Sequence, residues 1–129
     1  MIRRCAELAW AGKQGIRGGV GRAAGADYLR LGDMAGIVGA GRTVLEPGSS
    51  IGAHAHPSTE ELYLILEGHG LGNLDGERFP VGPGDLFVVK AGHTHGLENP
   101  SASPLVFFGL LTRQETRKDG ADPDAARLV

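Results

Sequence analysis

A chain of 129 residues has room for one compact domain. Its hydrophobic share of 41% is enough to fill one core, and its charged share of 22% is not that of a disordered segment. The net charge of −2 and the pI near 6.2 argue against nucleic-acid binding, which needs a basic excess gathered on one face, and against attachment to an anionic membrane. No apolar run approaches the roughly 20 residues of a transmembrane helix. Residues 1–12 hold no sustained apolar stretch, because Glu7 interrupts them, so no secretory signal is read. The lone Cys5 has no internal disulfide partner. The expected compartment is therefore the cytoplasm, with Cys5 a partly buried small apolar residue.

The 22 glycines and 7 prolines, set against 5% aromatics, suit short strands joined by tight turns better than long helices. Residues 1–22 read as an irregular arm, since Gly15, Gly18, Gly19 and Gly21 lie too close together for a helix. Such an arm could pair with the body of the domain or with a second subunit. A short strand is expected over 28–31 and a longer one over 37–45, which the Glu46-Pro47-Gly48 turn closes. Strands over 52–56 and 61–66 follow, separated by a turn at Pro57-Ser58-Thr59-Glu60. The segments 71–74 and 77–81 flank Asp75-Gly76, a preferred two-residue hairpin turn. Gly82-Pro83-Gly84-Asp85 makes another turn, and strands over 86–89, 95–98 and 105–111 complete the series. The polar segment 113–129 is expected to be a frayed end or a short helix. The predicted class is all-β and antiparallel: a jelly-roll β-barrel over 23–112 with an N-terminal arm and a polar C-terminal tail, all one domain.

The chemistry concentrates in four residues. His54 and His56 are two apart in a strand, so both imidazoles point to one face and can grip one ion. A lone buried histidine is usually a hydrogen-bonded core residue; a pair followed by an acid is less easily dismissed. Glu61 opens the next strand, with Tyr63 and Ile65 on its face and Leu62, Leu64 and Leu66 on the other. Glu60 falls on the opposite parity and reads as a rim carboxylate. Because the strand is apolar on both faces, both must be covered, one by the barrel interior and the other by a second sheet or a partner subunit. His95 begins a later strand, just past Ala91-Gly92. Spacing alone does not bring His95 to the other three.

The run Gly48-x5-His54-x-His56-x4-Glu61-x6-Gly68 resembles the first signature of the cupin superfamily at every defining position. The run Gly84-x5-Lys90-x-Gly92-x2-His95-x3-Asn99 resembles the second, departing at Lys90 where the family usually has proline. Fifteen residues, 69–83, separate the two motifs, near the short end of the family's range. The resemblance implies a cupin barrel whose metal ligands are His54, His56, Glu61 and His95. Gly48, Gly68, Gly84 and Gly92 are expected at turns, and Asn99 is expected to tie a turn through its side chain.

Three imidazoles and one carboxylate leave coordination positions open on an octahedral ion, which suits a reactive site more than a structural one. The set accommodates Fe(II), Mn(II), Ni(II), Co(II) or Zn(II) without choosing among them. The expected function is that of a metal-dependent small-molecule enzyme. The bound ion would polarise or oxidise a small oxygenated substrate, as in cupin isomerases or epimerases, lyases or decarboxylases, and dioxygenases. The alternative is a non-catalytic cupin that binds or senses a small molecule. Tyr63 is the candidate proton-transfer residue, weighed equally against a ring that fills the barrel. His69 and His93 read as turn or surface histidines, Arg42 and Glu67 as solvated charges, and Phe79, Phe87, Phe107 and Phe108 as core. No phosphate-binding loop or dense Arg/Lys cluster marks a phosphorylated substrate. A homodimer is expected from the doubly apolar strand, the Gly-rich arm and the habit of the family the chain resembles.

Overall fold

A computed structural model describes residues 1–113. The expected tail over 113–129 lies, apart from Arg113, outside the described residues. Ten antiparallel strands run in chain order: β1 (Ala11–Gln14), β2 (Arg22–Leu29), β3 (Ile37–Leu45), β4 (Ser50–Ala55), β5 (Thr59–Glu67), β6 (Gly70–Leu74), β7 (Glu77–Val81), β8 (Leu86–Val89), β9 (Thr94–Glu98) and β10 (Leu105–Arg113). Among the described residues the only helical pieces are single 3-10 turns at Cys5–Glu7 and Ile16–Gly18. No helix there is long and apolar enough to cross a membrane.

The strands form two sheets, a six-stranded one ordered β1-β2-β3-β10-β5-β8 and a four-stranded one ordered β4-β9-β6-β7. This is a jelly roll, and its core lies between the sheets. Strand alternation builds that core: along β5, Glu61, Tyr63 and Ile65 are buried while Leu62, Leu64 and Leu66 are half-buried on the outer face. Leu45, Leu105, Phe107, Ile51, Leu97 and Val81, from strands of both sheets, join Tyr63 and Ile65 in one core cluster. Fully burying side chains of this size is worth roughly 1.5–3 kcal/mol each, so the interior is the main source of stability.

Asp75 and Gly76 both take positive φ, +51° and +87°, as the tight β6–β7 hairpin requires. Gly68 is the most constrained of the signature glycines. Its φ is +83°, and a Cβ there would drive into the Pro104 carbonyl. Asn99 is buried and ties the β9–β10 connection together. Its amide donates to the carbonyls of Leu45 (3.0 Å) and Ser103 (2.8 Å), and its oxygen accepts from the Ser101 backbone (3.1 Å) and hydroxyl (2.7 Å).

Several expectations needed correction. The segment 1–22 is not irregular throughout, because β1 pairs with β2 from Ala11↔Gly25 to Gln14↔Arg22. Ala, Gly, Lys and Gln have weak strand preferences, and all four residues of β1 are exposed. Pairing therefore forms this edge strand rather than local propensity. β2 likewise starts well before residue 28, because its small residues Ala23–Ala26 align against Leu45–Arg42 of β3. The turn between β4 and β5 is shorter than expected, with Thr59 and Glu60 already in the strand. Cys5 is exposed rather than partly buried.

Replacing Asn99 by Ala would strand the buried Leu45 carbonyl and undo the connection it braces. Urea denaturation is expected to show a loss of about 2 kcal/mol, the usual cost of an unsatisfied buried group. A loss below about 0.5 kcal/mol would contradict the bracing role.

Candidate metal centre

The two sheets deliver four donor side chains to one point. His54 sits in β4 directly opposite His95 in β9. His56 lies just past the end of β4, and Glu61 points inward from β5 in the opposing sheet. One ligand atom from each of the four can be chosen so that all lie within 4.8 Å of one another. His54 Nε2 is 3.1 Å from His95 Nε2, and Glu61 Oε1 lies 3.1 Å from His95 Nε2 and 3.5 Å from His56 Nε2. Three of the four are fully buried, while His54 is half-buried and marks the side nearer solvent.

The protonation states suit metal binding. His54 Nδ1 lies 2.7 Å from the Gly52 carbonyl, which can only accept, so the proton resides on Nδ1 and the Nε2 lone pair faces the cluster. Burial is the main force that lowers the His54 pKa to about 4, and the charges of His95, Arg17 and His56 act in the same direction. His54 is thus a neutral imidazole at neutral pH. Burial alone would raise the Glu61 carboxyl, but His56 and His95 outweigh it and hold the group below its ordinary value. Glu61 is therefore an anion in the interior, held between the imidazoles of His56 and His95. Neither of its oxygens has a well-formed hydrogen bond. A buried carboxylate facing convergent imidazole nitrogens is a poorly satisfied arrangement without a cation. It is the donor chemistry that a divalent transition ion fits.

Tyr63 lies beneath this cluster. It is fully buried, its ring centroid is 4.8 Å from that of His95, and Phe107 and Phe87 pack against it at 4.4 and 5.3 Å. Burial and the neighbouring Glu61 charge push its phenol well above the ordinary tyrosine value, so it is a neutral hydroxyl that can donate but not serve as a base at neutral pH. Its hydroxyl forms no well-formed hydrogen bond among the described residues.

The other sequence candidates lie away from the cluster. His69 and His93 are exposed, and His93 pairs with Asp75 of the hairpin at 2.7 Å. Glu60 is a rim carboxylate 3.2 Å from Lys90. The Lys90 departure from the second motif thus forms a cross-strand ion pair beside the site without touching a ligand. Arg42 and Glu67 face each other across 3.9 Å on the outer surface. Phe87 and Phe107 are core and Phe79 packs against it, but Phe108 is half-buried on the outer face beside Tyr28. Sequence reading did not single out Arg17, whose positive charge acts on both His54 and Tyr63. The only sequence signal near it was the density of glycines.

Residues 41–111 match the family model described as Cupin domain. Over 70 residues the chain is 36% identical to an oxalate-binding protein of Thermotoga maritima, an overlap of 54% of this chain and 58% of that one. The chain spans about half the length of the curated relatives it matches. Among solved structures, a predicted oxalate decarboxylase from Thermotoga maritima superposes with a TM-score of 0.84 at 31% identity, covering 88% of this chain and 99% of that one. A Cupin 2 conserved barrel domain protein from Salinispora arenicola, 21% identical with a TM-score of 0.66, covers 87% of each chain and shares the fold.

Proposed function

The chain belongs to the cupin domain family, and from that premise we propose that it binds a small carboxylate of the oxalate class at a divalent transition metal held by His54, His56, Glu61 and His95. The observation that carries this reading is the convergence of those four donors inside the barrel of a chain that has relatives named for oxalate among the proteins it resembles. The ion, one of Fe, Mn, Ni, Co or Zn, would supply Lewis acidity at its open positions. His54 contributes a neutral lone pair fixed by the Gly52 carbonyl, and Glu61 contributes the anionic donor. Tyr63 holds a proton on its hydroxyl beside Glu61, where it can orient that carboxylate or donate to a ligand oxygen. The phenyl rings of Phe87 and Phe107 around Tyr63 keep water from its base.

Two readings of the outcome remain distinct. In the first, the site is catalytic, and the name of the solved relative favours lyase chemistry of the decarboxylase type over isomerase or dioxygenase chemistry. In the second, the chain binds its carboxylate without turning it over, which the name of the oxalate-binding relative favours. The lone Cys5 is compatible with a reducing cytoplasm.

We also propose a homodimer. The outer face of the larger sheet carries Leu62, Leu64, Phe108 and Leu110 half-buried, with Leu86 53% and Val88 41% exposed on the edge strand β8. Such a contiguous apolar face marks an association surface. Light scattering behind size exclusion is expected to give twice the chain mass at micromolar concentration, and a Leu64→Asp/Val88→Arg double variant is expected to give one chain mass. A wild-type monomer would end the proposal.

For the site itself, protein loaded with Mn(II) is expected to bind oxalate in isothermal titration with one site per chain, and metal-free protein is expected to bind none. Carbon dioxide release or its absence then separates the catalytic from the binding reading. No heat from the metal-loaded protein would contradict the oxalate-class ligand.

A further inference from the structure

The N-terminal arm docks on β4, the strand that holds His54. The Gly15 backbone N–H bonds to the Gly21 carbonyl at 3.0 Å and closes a small loop, while Gly18 and Gly19 donate to the carbonyls of Gly15 and Ile16 at 3.1 and 2.9 Å. Ser49 and Ser50 pin that loop to the start of β4. Their hydroxyls accept from the backbones of Arg22 and Val20, and the Ser50 backbone donates to the Val20 carbonyl. Contact is close enough that a Cβ on Gly52 would collide with the Arg17 carbonyl, and a Cβ on Gly19 would collide with the Ser50 carbonyl. Gly52 is the residue whose own carbonyl holds His54. Arg17, at the tip of the loop, is therefore built directly against the strand that carries His54 and leads into His56.

Arg17 has two further properties. Its backbone is left-handed, φ +53° and ψ +36°, a conformation that glycine takes readily and arginine uncommonly. The loop is rich in glycine, yet this position has a long cationic side chain. That side chain is half-buried, with its Nη2 shielded from solvent, and its charge reaches His54 and Tyr63. The docked loop thus brings a cation beside β4, the strand that holds His54, the half-buried member of the cluster. An observed backbone outlier at a site is a reason to ask what the side chain does.

Charge balance supplies an answer. A divalent ion with one carboxylate ligand leaves a net charge of +1, which matches a monoanion and falls one short of a dianion. A buried charge needs a partner. We propose that Arg17 is the specificity-determining residue of the site: its guanidinium receives the second carboxylate of a small dicarboxylate whose first carboxylate faces the four-donor cluster. An arginine presents paired N–H donors that match a carboxylate's two oxygens. The arm thereby becomes part of the ligand site, and its docking on Ser49, Ser50 and Gly52 sets where the guanidinium stands. This inference rests on the metal and carboxylate reading given above.

The test compares wild type, Arg17→Gly and Arg17→Lys, each loaded with Mn(II), by isothermal titration with oxalate and separately with acetate. Glycine suits the left-handed backbone, so Arg17→Gly is expected to keep the melting temperature and the manganese content of the wild type. Its oxalate affinity is expected to fall by about tenfold or more, the scale of one charge-assisted contact, while acetate affinity changes by less than about threefold. Arg17→Lys, which keeps the charge without the planar fork, is expected between the two for oxalate. Oxalate bound equally well by wild type and Arg17→Gly would overturn the role of Arg17 and leave the proposed function standing. An equal loss of oxalate and acetate would show a structural role only and overturn it as well. A wild type that binds neither ligand would overturn the carboxylate reading of the site itself, and this inference with it.

Discussion

An ionised carboxylate facing three imidazoles inside an apolar barrel is the constraint around which this structure is organised. Glu61 is 1% exposed, His56 0% and His95 1%, and the Tyr63 ring packs against His95 with Phe107 and Phe87 behind it. Burying such groups without compensation costs several kcal/mol. The fold therefore has to hold them in mutual register, and β-structure does this cheaply. The antiparallel pairing of β4 with β9 sets His54 against His95, and the parity of β5 turns Glu61 inward. A shift of one residue in either strand would send the donors to the outside and the outer leucines to the inside.

The supporting parts follow from that requirement. Gly52 serves twice, accepting from His54 Nδ1 through its carbonyl and leaving room for the Arg17 backbone by having no side chain. Asn99 closes the far end of β9 by reaching Leu45 on the other sheet, so the strand that carries His95 is braced across the core. Lys90, which stands where the second motif usually has proline, pairs with Glu60 across the β5–β8 edge. An exposed pair of this kind adds little stability, so the turn at Ala91-Gly92 relies on backbone bonds such as Gly92 to the His56 carbonyl at 3.0 Å. That last bond also joins the β8–β9 turn to a donor residue.

Much of this was legible in the residues themselves. β3, β7 and β8 fall on the expected boundaries because their ends carry glycine or proline turns or sharp changes of pattern. The inward parity of Glu61, Tyr63 and Ile65 follows from a period of two, which needs no tertiary information. The meeting of His95 with His54 was not legible from spacing, since it depends on two strands 41 residues apart lying side by side. Only the resemblance to a known pair of motifs implied it. β1 and the early part of β2 were missed for the opposite reason. Their alanines and glycines carry almost no strand preference, and pairing with β3 creates the structure that composition does not announce. Arg17 was hidden in the same way, as one cation in a glycine-rich loop whose importance appears only once that loop is seen docked on β4.

The central claim is that the four donors hold one metal ion. Its most direct test is the metal content of purified protein by inductively coupled plasma mass spectrometry, wild type beside His56→Ala, each as isolated and after reloading with Fe(II), Mn(II), Ni(II) and Zn(II). The account predicts about one tightly held transition metal per wild-type chain and a large loss in the variant, because one of the four donors is then missing. Wild type that takes up no metal under any of these conditions, or a variant that holds it as tightly as wild type, would contradict the account.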